Sequence, residues 1–172
     1  MFVGEAFVGD APDNAHVNII LGAKEQLGAA FAHALANPSQ GFVPFVAVLQ
    51  PNMMVKPATL FANKVAVEAG HHAKLTWGPA QAGVALGVHD AVRTGVLPPE
   101  APDNWLVIAA VWVNREACDG GTVLRNNRLA TATAITRALT NGPEAKDIEA
   151  AAQMPCNPFL SFAEANTPES GT

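Results

Sequence analysis

GEAFVGDAPDNAHVNIILG, residues 4–22, is the stretch on which the reading of the fold turns. A turn-forming run, Gly9-Asp10-Ala11-Pro12-Asp13-Asn14, separates Phe2 to Val8 from a second apolar stretch, His16 to Leu21. Two such runs joined by turn residues predict two strands. Strand side chains alternate between faces. His16, Asn18 and Ile20 therefore share one face, and Val17, Ile19 and Leu21 the other. An imidazole and a carboxamide two residues apart project side by side. That suits a pocket wall carrying a proton donor and a hydrogen-bonding group. Periodicity alone favours a plainer reading, a half-exposed strand whose polar residues face water.

Further along the chain, Leu27, Phe31, Ala34 and Leu35 recur at helical spacing and predict a helix over 24–37, stopped by Pro38. Val43 to Gln50 reads as an apolar strand with Val46 and Val48 on one face, turned by Pro51-Asn52. Thr59 to Val67 reads as another strand, with Asn63-Lys64 in its middle. His71-His72 falls in a loop after Gly70. A helix follows over 78–95, with Pro79 at its first position and Gly95 just past its end. Gln81 then falls in the first turn, where unpaired backbone N–H groups hold polar ligands readily. Val84, Val88, Ala91 and Val92 form the buried stripe.

Trp105 to Val113 is apolar throughout, as a central strand covered on both faces would be. Thr122 could cap a last long helix to about Thr140, with Leu124, Leu129, Ala132, Ile135 and Leu139 inside. Strands and helices interleave without strict βαβ alternation, so the class is α+β. One domain over 1–158 is expected, with a small, polar and disordered tail over 159–172.

Composition bounds the function. The chain of 172 residues is long enough for one domain with a real core. Its net charge is −5 and its ten Lys and Arg are scattered, so no phosphate-backbone footprint exists and no nucleic-acid partner is expected. The acidic start, MFVGEAFVGD, lacks the basic segment of a signal peptide, and the longest apolar run is too short for a bilayer. A cytoplasmic protein without membrane association is expected. Cys118 and Cys156 lack CxxC spacing and are read as free thiols. His16, His33, His71, His72 and His89 form neither HxxxH nor HExxH, so no metal site is expected. A charged content of 15%, with abundant Ala, fits a surface partly covered by copies of the same chain.

The motifs GEAFVGDAPDNAHVNIILG, GFVPFVAVLQPN, KPATLFANKV, GPAQAGVALGVHDAV and LVIAAVWVN follow one another along the chain. As an ordered set they resemble the formaldehyde-activating enzyme family, over roughly Phe2 to Pro158. The resemblance implies a two-layer sandwich similar to the second domain of ribosomal protein S5. It implies a homopentamer with sites between subunits. It implies condensation of formaldehyde with tetrahydromethanopterin, a co-substrate, to the methylene-pterin and water.

Position by position, His16 matches the family's proton donor. Lys64 and Gln81 match pterin-contacting positions and keep the residue type. Three positions depart: Asn18 stands where the family usually has Asp, Ala66 where it has Thr, and Val46 where it has Leu. An imidazole suits the chemistry, because it can donate a proton near neutrality to a carbinolamine hydroxyl leaving as water. Asn18 keeps the shape of Asp without its charge, and Ala66 lacks the hydroxyl. A second function is therefore carried beside the enzyme: a non-catalytic carrier, sensor or partner subunit that binds formaldehyde or a reduced pterin. Single residues also have plain readings: Lys64 as a strand lysine reaching water, Asp90 and Arg93 as a solvated helix face, Trp112 and Phe45 as core.

Overall fold

The first two runs form an antiparallel pair, β1 (Phe2–Val8) and β2 (Ala15–Ala23), with Glu5 opposite Asn18 and Phe7 opposite His16. The computed structural model describes residues 1–67 and 69–157. The chain forms two units, 1–140 and 141–172. In the first, α1 (Lys24–Ala36) follows β2 directly. The chain then runs through β3 (Phe45–Val46), β4 (Val48–Gln50), β5 (Met53–Met54) and β6 (Ala58–Asn63). Next come α2 (His71–Leu75), α3 (Gln81–Arg93), the short α4 (Ala101–Asn104), β7 (Trp105–Val113) and α5 (Gly120–Leu139). The second unit contributes α6 (Ala145–Gln153), none of whose residues is buried. The tail expected over 159–172 lies outside the described residues.

The main sheet has the order β1-β2-β7-β6-β3, while β4 and β5 pair separately. β2 and β7 run antiparallel, and β6 joins β7 in parallel. This mixed sheet with helices is α+β. Helices α3 and α5 cover one face. Val17, Ile19 and Leu21 from β2 meet Val107, Ala109 and Val111 from β7, Phe61 from β6, and Val84 and Val88 from α3 in one core. The helices approach closely because Gly83 and Gly87 face α5. A Cβ at Gly83 would stand 2.5 Å from the Leu124 carbonyl oxygen, and one at Gly87 2.6 Å from that of Arg128. Arg128 grips Asp90 through two hydrogen bonds of 2.5 and 2.9 Å, so Asp90 fastens α3 to α5 and is not part of a solvated face. Helix α1 packs on β2 and β7. Its buried Leu27 and the buried Leu60 lie outside the main core.

Several expectations are corrected. Val43 to Gln50 is not one strand: Val46 ends β3 in the main sheet and Val48 begins β4 in the hairpin. The break is held by the Ala47 N–H donating to Thr59 and the Gln81 Oε1 accepting from the Val48 N–H. β6 stops at Asn63, whose amide donates to the carbonyls of Gly41 and Val65. Lys64 therefore follows the strand. The helix expected to begin near Pro79 starts at His71, so His71 and His72 are helical, and Pro79 sits inside a π-type turn over Thr76–Ala80. Asp119, not Thr122, caps α5, its carboxylate accepting from the Thr122 N–H. Leu129, expected inside, is 56% exposed. On β7 Leu106, Val107, Ala109, Val111 and Val113 are buried within the chain, while Ile108, Ala110 and Trp112 are half-buried.

Candidate functional site

The alternation that buries Val17, Ile19 and Leu21 turns His16, Asn18 and Ile20 to the opposite face of the sheet. The register gathers their neighbours. Glu5 and Phe7 on β1 oppose Asn18 and His16. Trp112 and Ala110 on β7 oppose the same two residues from the other side. The Lys64 N–H donates to the Val111 carbonyl at 2.8 Å, continuing the parallel ladder one step past β6. That step sets Lys64 level with Trp112, on the face of His16. Strands lie about 4.8 Å apart, so Trp112 occupies the span between the columns of His16 and Lys64.

The charged groups on this face lie close enough to act on one another. The His16 Nε2 lies 3.1 Å from a Glu5 carboxylate oxygen. Phe7 tilts against the imidazole, with ring centroids 6.0 Å apart. Burial, and then the charge of Lys64, pushes His16 below the usual imidazole range, while Glu5 pulls it back up. Burial brings the Lys64 ammonium down to about 8, against the pull of Glu5. Lys64 Nζ is buried without a hydrogen-bond partner among the described residues. Of the four such side-chain polar atoms it is the one that carries a charge. An unsatisfied buried ammonium is costly. A ligand carbonyl or other acceptor would satisfy it.

The structure therefore brings His16, Asn18 and Lys64 onto one sheet face. It leaves the other three residues singled out from the sequence elsewhere. Val46 is on β3, the far edge of the sheet. Ala66 borders a surface cleft with Ala69, His72 and Arg115. Gln81 is buried on α3, and its side-chain oxygen is engaged at 2.6 Å by the Val48 N–H. Its own N–H bonds back to Gly78 and Thr76, so the free first turn inferred for it does not exist.

Glu5 and Trp112 are the site residues that sequence reasoning missed or assigned to the core. Counting alternation back from Val8 puts Glu5 on the same side as Phe7. Only the hairpin register puts it beside His16. Among the described residues no cluster of three or more His, Cys, Asp or Glu could hold a metal, and no helix is long and apolar enough to cross a membrane.

Residues 3–160 match the family model described as formaldehyde-activating enzyme. A protein of Methanosarcina barkeri named 5,6,7,8-tetrahydromethanopterin hydro-lyase is 40% identical over 158 residues, covering 91% of this chain and 89% of that one. Proteins named bifunctional enzyme Fae/Hps are similar too. That of Archaeoglobus fulgidus is 40% identical over 159 residues, covering 92% of this chain and 40% of its own length. That of Methanococcoides burtonii is 40% identical over 145 residues, covering 84% and 37%. The chain thus spans about two fifths of the bifunctional relatives and most of the Methanosarcina protein. By its sequence over nearly its whole length, this chain belongs to the formaldehyde-activating enzyme family.

Proposed function

We propose that the chain condenses formaldehyde with tetrahydromethanopterin, or a related reduced pterin, to give the methylene-pterin and water. The observation that carries this reading is the Lys64 ammonium, buried without a hydrogen-bond partner among the described residues, on the same sheet face as a carboxylate-bound imidazole. The first amine of the pterin adds to the formaldehyde carbon, and its proton passes to the oxygen to leave a carbinolamine. His16, as imidazolium, donates a proton to the carbinolamine hydroxyl. The C–O bond breaks and water leaves. The second amine attacks the resulting iminium carbon, closes the ring, and returns a proton to His16. The reactants and products balance without an oxidant or reductant. Lys64 holds an acceptor atom of the pterin, and Asn18 offers a second hydrogen-bonding group. Much of the acceleration comes from holding two amines and the one-carbon unit in register.

Val46, Ala66 and Gln81 enter the pterin site in this reading through assembly. The protein is a homopentamer in which a neighbouring subunit completes each site, and each subunit carries the two-layer sandwich resembling the second domain of ribosomal protein S5. Exposed Val3 and Phe7 on the edge strand, and Leu49, Met53 and Met54 on the β4–β5 hairpin, are apolar surface that such contacts would cover. Light scattering at micromolar concentration is expected to report an oligomer; a stable monomer removes the shared site. The decisive assay follows absorbance as formaldehyde and tetrahydromethanopterin are mixed with and without protein. Acceleration supports the enzyme. Tight pterin binding without acceleration turns the reading to a carrier, which the missing carboxylate at Asn18 would favour.

A further inference from the structure

From the contacts around His16 we infer that Glu5, a carboxylate on the neighbouring strand, is its positioning residue. The inference rests on the reading of His16 as proton donor. Glu5 stands directly opposite Asn18 in the hairpin, and its side chain crosses diagonally to His16. One carboxylate oxygen lies 3.1 Å from the His16 Nε2. The other lies 3.8 Å from an Arg137 guanidinium nitrogen, which also donates to the Glu5 backbone carbonyl at 2.9 Å. Arg137 extends from α5, so its guanidinium lies on one side of the Glu5 carboxylate and the His16 imidazole on the other. A carboxylate can only accept, so the proton in this contact is on Nε2. The other nitrogen, Nδ1, is left to meet the substrate. An imidazole oriented by an acid on its far nitrogen is a recurrent arrangement in proton transfer.

The charged groups acting on His16, among the described residues, are Glu5 from β1 and Lys64 beyond β6; the β7 residue opposite is Trp112. Burial and Lys64 disfavour the imidazolium, and Glu5 is the group that favours it. Without Glu5 the donor form survives only at lower pH. An acid-dependent step is present below the His16 titration and lost as pH rises through it. Glu5→Gln therefore moves that loss downward, and turnover at neutral pH falls about tenfold, the order of effect of one opposite charge on a neighbouring group.

The test uses the full-length protein. The His16 imidazole is titrated by NMR in the native chain, Glu5→Gln and Glu5→Asp, and the pH dependence of condensation is measured on the same three. Supporting results are a lower His16 midpoint in Glu5→Gln, an equal displacement of the rate profile, and partial recovery in Glu5→Asp. A His16 midpoint unmoved in Glu5→Gln overturns the pairing. A moved midpoint with an unmoved rate profile overturns the positioning role. If the native protein does not accelerate condensation, the proposed function fails by itself, and the NMR titration alone upholds or overturns the Glu5–His16 pairing.

Discussion

The two faces of β2 are built from the same nine residues and to opposite specifications. On one, Val17, Ile19 and Leu21 are wholly shielded and every side chain is apolar. On the other, His16 keeps 35% side-chain exposure, sits in a web of opposing charges, and shares its surface with an ammonium that has no hydrogen-bond partner among the described residues. The first face lowers the free energy of the fold through apolar burial. The second costs stability by desolvating Lys64 and by setting two cationic groups near one another. Such costs persist where the groups serve a ligand. Residues one position apart should thus separate cleanly into those that hold the protein together and those that make it work.

The largest effect expected from breaking that division is on His16. His16→Ala should lower turnover at saturating pterin by about 10²–10⁴-fold while leaving pterin affinity nearly intact, as loss of a general acid does. Steady-state kinetics with a separate binding isotherm checks this, and an unchanged rate removes the proton-donor role. The adjoining inward positions should behave in reverse. Ile19→Ala should cost about 2–5 kcal/mol of stability, as large-to-small core changes do, with catalysis retained by molecules that remain folded. Urea denaturation measures it, and a loss under about 1 kcal/mol would mean that this face relaxes around the cavity.

Lys64 sharpens the comparison because stability and function should move in opposite directions. Lys64→Met should weaken pterin binding by about 1.5–3 kcal/mol, the worth of a hydrogen bond from a charged group, and should stabilise the protein. The pH dependence gives an independent sign. The folded chain holds this ammonium at about 8, against an ordinary 10.5. Between those values the unfolded chain binds the proton more firmly, so stability rises with pH; below about 8 the desolvation cost is fully present. Denaturation midpoints across that window should climb in the native protein and climb less in Lys64→Met.

The smallest effect is expected at Asn18. Asn18→Asp adds an acceptor charge beside His16, but places it directly opposite Glu5, where like charges cost about 0.2–1 kcal/mol. A modest gain in pterin affinity by calorimetry is expected. Ala66→Thr, at a cleft lined by Ala69, His72 and Arg115, should add to it only if a second subunit completes the site.

How far the sequence could be read depended on whether a feature was local. Alternation in β2 is local, and its face assignment for His16 through Leu21 agrees with the structure. The helix over Lys24–Ala36 and the strand from Phe2 to Val8 are local patterns too, and both stand. Lys64 lies one residue past β6 and not in mid-strand, where the neighbouring Asn63 amide bonds to Gly41, far away along the chain. Gln81 was given a free helix terminus because Pro79 marks a helix start in ordinary α-geometry. Inside a π-type turn the same proline is tolerated, and the helical path continues back to His71. Of the expected stripe on α5, Ile135 is fully buried but Leu129 faces out, and the residues that pack beside Ile135 include Val123, Asn127, Ala130, Ala134 and Ala138. The close approach at Gly83 and Gly87 chose small residues over large ones.

The amino-acid sequence by itself determined the α+β class, the inward face of β2, the candidacy of His16, and, through ordered motifs, the family. Each depends on residue type and spacing along one segment. Tertiary structure alone decided that Glu5 is the acid beside His16, that Lys64 is buried without a hydrogen-bond partner among the described residues, and that Gln81 is already engaged by Val48. Those facts depend on strand register and on which segments exclude water from one another. Both are set by contacts between residues far apart in the chain, which no local pattern encodes.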